Sequence, residues 1–516
     1  MSMKHYLICI FALATLTFIG CSSPKAPEQF AKQNSQPKIY PDYIDVTIPS
    51  NIAPTNFMVL EKGEEAVAKF SYPGGEATYG KGLKIQVPEK KWKEMLQAAK
   101  GKDIKVEVFV KEGNGWKGFQ AFSIFVAEEE IDPYSSYRLI YPSYIAYEVL
   151  SINQRNITNF EEKDIYNNMI ISSEENGQCI NCHSYQNYHT TNMQFHMRQG
   201  HGGTMIVEGD KLTKVDLKSD STISSGVYPS WHPTQKLIAY STNSTGQSFH
   251  TMSKAKIEVQ DSKSDIILYD VEKNEVTNIS NIPDEFEVYP YWAPSGDMLY
   301  YCSAHFEFTD TTGTKDAELI RRYKEVKYNI YRKTFDQKTH QFGPTEMVYQ
   351  ADSLNASATL PRISPDGRYL LFAQGEFGCF HIWHPDADLH ILDLKTGEAR
   401  KLENVNSNQA ESYHSWSSNG RWIIFSSRRD DGNYTRLYIA YFDKEGKAHK
   451  AFALPQKDPG FYTYFLKSYN IPEFMVEPVK HTPQEFASAA KKDVVHAKFN
   501  GQVVSNEADT VKHLVN

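Results

Sequence analysis

The sequence predicts a mainly β protein, with an N-terminal β-sandwich-like domain, a short helical segment and a C-terminal β-propeller of about six blades. Aromatic residues make up 13% of the 516-residue chain, with 32 Tyr and 28 Phe, and aromatic and β-branched side chains favour pleated, half-buried strands. A strand-turn-strand unit with an aromatic anchor at a fixed place recurs through the C-terminal half. Strict alternation in the N-terminal part, as at Val106, Val108 and Val110, gives way beyond about residue 131 to longer mixed segments such as 137–151.

A chain this long exceeds one ordinary core, and two or three domains are expected. The first stretch reads as an address. Lys4 is followed by the apolar run 6–20, YLICIFALATLTFIG. That run is shorter than the roughly 20 residues a membrane span needs, and it fits the apolar region of a secretory leader. It ends Phe18-Ile19-Gly20-Cys21. A small residue before a cysteine at this place resembles the bacterial lipobox, with Phe18 standing where Leu is usual. The resemblance implies cleavage after residue 20, a lipidated Cys21 and attachment to a membrane. Residues 21–39, rich in Pro, Gln, Lys and Ser, then read as a flexible tether. Ser22 rather than Asp after the cysteine favours the outer membrane, facing the periplasm.

Residues 40–130 read as the small β domain, with strands over 43–48, 57–60, 66–72, 83–87, 104–110 and 119–126. One helix is expected over 90–99, where Trp92, Met95, Leu96 and Ala99 fall at helical spacing.

From about 205 to 475 four units align: Tyr228-Pro-Ser-Trp231, Tyr289-Pro-Tyr-Trp292, Leu360-Pro-Arg-Ile363 and Tyr413-His-Ser-Trp416, each followed by a turn and an apolar strand. Asp366-Gly367 and Asn419-Gly420 are strong hairpin turn pairs. The repeat resembles the propeller of the TolB-like family. The third unit, Pro361 to Phe372, matches its blade pattern well. The fourth has Ser418-Asn419 for Pro-Asp, and the first lacks the Gly. The resemblance covers about half the chain and implies a fold and a docking surface, but no particular contact residue. Residues 476–516 read as a peripheral tail.

The segment 131–204 contains Cys179-Ile180-Asn181-Cys182-His183. This is the C-x-x-C-H attachment pattern of c-type haem. Thiols three positions apart on a helical turn share a side, where they can add to the two vinyl groups on one porphyrin edge, with His183 as proximal iron ligand. For the distal position His196 and Met193 are the leading candidates, with Met197, His189 and His201 behind them. Arg198 could pair with a haem propionate. A zinc site would need further ligands at matching spacing, and a thioredoxin-like dithiol would need a βαβ context. Cys302 and Cys379 stand either as a bridge or as two buried thiols. Arg428-Arg429-Asp430-Asp431-Gly432 reads as a solvated turn.

The formal charge of −8 carries no basic footprint for nucleic acid. These residues together resemble a lipid-anchored envelope c-type cytochrome. Expected are one covalent haem c, single-electron transfer and a redox partner protein met at the propeller. The alternatives are a non-catalytic propeller scaffold and a haem-containing oxidoreductase subunit, so catalysis is left open.

Overall fold

The computed structural model describes residues 24–141, 149–173, 177–253 and 255–501, and the backbone of 512–513. The lipobox and Cys21 lie outside the described residues. No helix among the described residues is long and apolar enough to cross a membrane.

The N-terminal part is a seven-stranded sheet built on the long strand Lys102–Glu112, with a three-stranded sheet and one helix beside it. Helix α1, Glu89–Ala99, buries Trp92, Met95, Leu96 and Ala99, the stripe that helical spacing assigned. The expected tether is shorter than its composition implied. Ala31 and Lys32 pair in parallel with Lys117 and Gly118, so the chain joins the sheet well before residue 39.

Six four-stranded blades follow. Their inner strands are β1 (Gln178–Gln186), β2 (Val227–Trp231), β3 (Glu285–Trp292), β4 (Ser357–Ile363), β5 (Glu411–Trp416) and β6 (Ser468–Met475). They neighbour one another in that order, and β6 returns to β1, so the ring closes. The sheets of the β2 and β3 blades share one ladder pair, Ser264 with Phe286. Closure is made by both ends of the chain. Strand β6 pairs with Tyr134–Ile140, which carries Ser151–Asn156 and Glu162–Asn167 outward in the same sheet.

This arrangement corrects two expectations. Residues 178–199 are not a short helical segment but two antiparallel strands. The boundary expected at 204/205 falls inside one sheet, because Gly203–Glu208 pairs with His189–Gln199. Period-2 alternation is lost here because both faces of these strands are buried, as is usual for a blade packed between neighbours.

The same geometry recurs on every inner strand. Cys182, Tyr228, Tyr289, Leu360, Tyr413 and Ile471 have φ of 53°, 50°, 56°, 58°, 48° and 50°. The pairing register shifts across each of them. These are β-bulges, which add a residue and sharpen the twist. The next residue is Pro at four of the six places and His at Cys182 and Tyr413. Proline is tolerated at a bulge, where no ladder bond is lost. Three positions after the bulge residue stands a buried apolar anchor: Tyr185, Trp231, Trp292, Ile363, Trp416 or Phe474. The repeat therefore has six copies. The first is Cys182-His183-Ser184-Tyr185 and the last is Ile471-Pro472-Glu473-Phe474. A β-branched residue such as Ile471 rarely takes a left-handed conformation. The expected hairpins are present, with Gly367 and Gly420 at φ of 74° and 66°.

His414, in the proline position of its bulge, is buried and donates from Nε2 to the Leu371 carbonyl at 3.2 Å. Burial first, and then Arg362, push its pKa down to about 3. An unfolded histidine titrates near 6.5, so below that pH the unfolded chain binds a proton that the folded one refuses. Stability from this site is therefore lost as pH falls. Relative to His414→Gln, wild type should lose about 1.4 kcal/mol per pH unit between about pH 6 and 4. Urea unfolding at several pH values checks this, and a pH-independent difference would contradict it.

The tail is part of the fold. The helix Pro483–Ala490 has a capping box between Thr482 and Glu485 and buries Phe486. Beyond it, Val495–His496 and Lys498–Phe499 add in parallel to the outer edges of two adjacent blades.

Candidate functional site

A cavity of about 670 Å³ lies among inner strands β1, β2, β5 and β6. Cys179, Asn181 and Cys182 of β1 line it, with Tyr413 of β5 and Asn470 and Ile471 of β6. In an unbroken strand residues three apart point to opposite faces, so 179 and 182 would be separated. The left-handed Cys182 resets the alternation, and both cysteines line the same cavity. Ile180 between them packs into the core with Met193, Phe195 and Met197.

The two cysteines differ in environment. Cys179 is half-buried and Cys182 buried, and both are free thiols. Burial raises the Cys182 thiol, while Arg198 and Arg138 pull it back toward the thiolate. Cys302 and Cys379 are likewise free and buried.

His183 faces away from this wall. Its Nδ1 is 3.2 Å from Ser136 Oγ and 3.2 Å from Glu473 Oε2, both in the closing blade. Its Nε2 is buried without a hydrogen-bond partner. That alone does not mark a ligand, because His414 in the equivalent position and His381 elsewhere each leave one ring nitrogen unpartnered in the same way.

The imidazole that reaches the cavity is His196, directly across the ladder from Asn181. Its Nδ1 is 3.0 Å from Thr204 Oγ1, which leaves Nε2 as the nitrogen for a ligand. Burial, and then the charge of Arg198, lower its pKa to about 3, so the ring is neutral. Neutral imidazole is the form that binds metals. Met193 is buried in the core behind the strand rather than on the cavity wall. Met197 is buried there too, accepting from Gln178 Nε2 at 3.5 Å. His189 is an exposed residue beside Glu477, and His201 is exposed as well.

Aromatic residues and cations complete the wall. Tyr228, Phe380, Trp383 and Tyr413 supply rings. Arg138, Arg198, Lys218 and Arg428 supply positive charge, and among the described residues no Asp or Glu lines the cavity. Arg428 overturns the reading of its segment as a solvated turn. It is only 4% exposed, with its guanidinium 3.5 Å above the Trp383 ring. Among the described residues no group of three or more His, Cys, Asp and Glu side chains converges into a metal site.

No family model matches this sequence, and no curated protein matches it. Solved structures do resemble the fold. Hydrazine synthase from Kuenenia stuttgartiensis is 11% identical with a TM-score of 0.31, over 50% of this chain and 62% of that one. A prolyl endopeptidase is 10% identical with a TM-score of 0.34, over 67% of this chain and 41% of its own. The β-propeller domain of the Trilobed protease from Pyrococcus furiosus is 10% identical with a TM-score of 0.30, over 76% of this chain and 95% of its own. The chain thus spans less than two thirds of the first two. At these identities the likeness is one of architecture, and no residue role is taken from it.

The motif residues Cys179 and Cys182 and the candidates His196 and Arg198 are therefore brought to one cavity, while His183 and Met193 are not. The sequence reading missed Arg138, Trp383, Tyr413 and Arg428. The one available signal was the bulge repeat, which assigns Tyr413 and Cys182 to equivalent places on the inner strands.

Proposed function

We propose that this chain holds one covalent haem c in the cavity through Cys179 and Cys182 and passes single electrons between proteins of the bacterial envelope. The observation that carries the reading is the bulge at Cys182, which goes with two free cysteines three residues apart lining one cavity. Each S–H adds across one vinyl group, sulfur to one carbon and hydrogen to the other, so no external oxidant is needed. The cavity volume falls within the range of small-molecule and cofactor sites. When bound, the haem supplies a one-electron couple at its iron.

The remaining roles belong to the chain's own residues. His196 offers a neutral nitrogen on the cavity side, oriented by Thr204, a hydrogen bond of the kind that fixes a metal-binding imidazole. We therefore take His196 as an iron ligand, and His183 as a positioning residue that ties β1 to the closing blade through Glu473. Aromatic walls exclude water, and Arg198 is placed to pair with a propionate. The lipobox at Cys21 would hold the protein at the envelope membrane, where a redox partner docks on the propeller.

The experiment is expression of the full chain with haem-attachment machinery, followed by a reduced pyridine haemochrome spectrum. One haem c per chain is expected. Absence of c-type bands from folded, secreted protein would overturn the proposal.

A second reading is favoured by one observation. Cys182-His183-Ser184-Tyr185 occupies the same bulge as Tyr413-His414-Ser415-Trp416, so the Cys-His step also belongs to the blade repeat. On that reading the chain is a non-catalytic propeller scaffold. Replacing Cys179 and Cys182 together by Ser would then leave both the envelope partners and the function unchanged, whereas the electron-transfer reading predicts loss of redox activity with the docking retained.

A further inference from the structure

We propose that Arg138 and Arg428 form an anion subsite in this cavity, which takes a carboxylate or phosphate group of a ligand. The subsite does not rest on the haem reading.

The starting point is a charge imbalance. The whole chain is acidic, with 63 Asp and Glu against 55 Lys and Arg. The cavity reverses that balance, being lined among the described residues by three arginines and a lysine with no carboxylate. Elsewhere in the protein some buried or half-buried cations are neutralised by carboxylates, while buried Arg436, away from the cavity, is shared among the Tyr462, Phe465 and Lys467 carbonyls. Arg429, next in sequence to Arg428, pairs with Glu411 at 3.1 Å, and Arg332 pairs with Glu346 at 2.9 Å. Among the described residues, no carboxylate forms an ion pair with Arg138, Arg198, Lys218 or Arg428.

Arg428 is the most telling of these. It is more than nine-tenths buried. Its Nε donates to the Ile382 carbonyl at 2.5 Å and its Nη1 to the Asn433 carbonyl, while the ring of Trp383 covers one face. Asp431 acts on it without forming an ion pair. A buried guanidinium held only by carbonyls and a ring is incompletely compensated, because burying a charge is costly unless it is paired. Two carbonyls fix its orientation, and no hydrogen bond from Nη2 is made among the described residues. Arg138 is held similarly, with Nη1 on the Ile180 carbonyl at 3.2 Å and a buried, unpartnered Nε. Both arginines line the same cavity as Tyr413. Fixed guanidinium donors in a low-dielectric recess recognise carboxylate and phosphate oxygens, and they do so with directional hydrogen bonds.

The two sources of such a group are a haem propionate and a free anionic ligand. The test uses the full chain made without haem-attachment machinery, the same chain made with it, and calorimetric titration with inorganic phosphate and with succinate. The haem-free chain should bind at least one of these anions. Arg428→Met and Arg138→Met should each weaken binding about tenfold or more, as expected for loss of a charge-assisted hydrogen bond. Thermal melts establish that each variant is folded, and the less buried Arg138 provides the result if Arg428→Met fails to fold. Arg368→Met, which removes an arginine paired with Asp393 outside the cavity, should leave binding unchanged. Binding abolished in the haem-loaded chain identifies the propionate as the natural occupant, and binding retained there identifies a free anion. No binding by the haem-free chain, or equal loss in Arg368→Met, would overturn the subsite.

Discussion

Replacing both Cys179 and Cys182 by Ser is expected to abolish covalent haem completely while leaving the propeller folded. Serine nearly matches cysteine in size, and neither thiol forms a disulfide whose loss would loosen the blade. The bulge at Cys182 does not depend on sulfur, since Tyr, Leu and Ile hold the same conformation in the other five blades. Acid-acetone extraction of the variant should therefore leave a colourless polypeptide, against a coloured one for wild type. Each single substitution should retain one attachment point and shift the reduced haemochrome band. The axial residues separate by the same spectra. His196→Ala should convert the haem to a form that binds added imidazole, whereas His183→Ala should keep the wild-type spectrum and lower thermal stability by loosening the contact with Glu473 and Ser136. The reverse pattern would return the ligand role to His183.

The second large effect is on stability. Trp422→Ala is expected to cost about 3–5 kcal/mol, the range for deleting a buried aromatic side chain. Trp422 is fully buried in a core cluster that runs without interruption from the N-terminal sheet into the β5 and β6 blades. Its ring lies 4.9 Å from that of Tyr441, and its Nε1 donates to the Glu130 carbonyl at 3.1 Å. Beside it, Asp132 accepts from the Ser418 backbone at 2.7 Å and from its hydroxyl. The substitution therefore opens a void in the blade and also removes one tie to the N-terminal sheet. Chemical denaturation should show a lower midpoint. A change within about 0.5 kcal/mol, as for a surface site, would contradict this account of the core.

Much of the fold was legible because Trp231, Trp292 and Trp416 mark three blades with the same large anchor. The first and last blades were hidden by chemistry at that motif. Cys182 and Ile471 stand where tyrosine marks other bulges, and Tyr185 and Phe474 stand where tryptophan marks the anchor. The closing blade was harder still. Its strand Ser151–Asn156, SINQRN, is almost wholly polar yet buried, with Arg155 donating to the Pro455 carbonyl and to Gln456. Such a strand is held in part by partners some 300 residues away, which no local pattern reveals. At the site, the cysteine spacing was legible but its conformation was not. A helical turn and a bulged strand both bring residues 179 and 182 to one side, and only the bulge turns His183 away. Arg428 was misread because Arg-Arg-Asp-Asp-Gly carries every local sign of an exposed turn, while its burial against Trp383 depends on the neighbouring blade.

The most direct measurement is peptide mass spectrometry of the mature protein, secreted from a host competent in haem attachment and digested to release the fragment containing residues 179–183. The account predicts a fragment heavier by one haem, joined through both sulfurs. An unmodified fragment with two alkylatable thiols, recovered from correctly folded and exported protein, would contradict it.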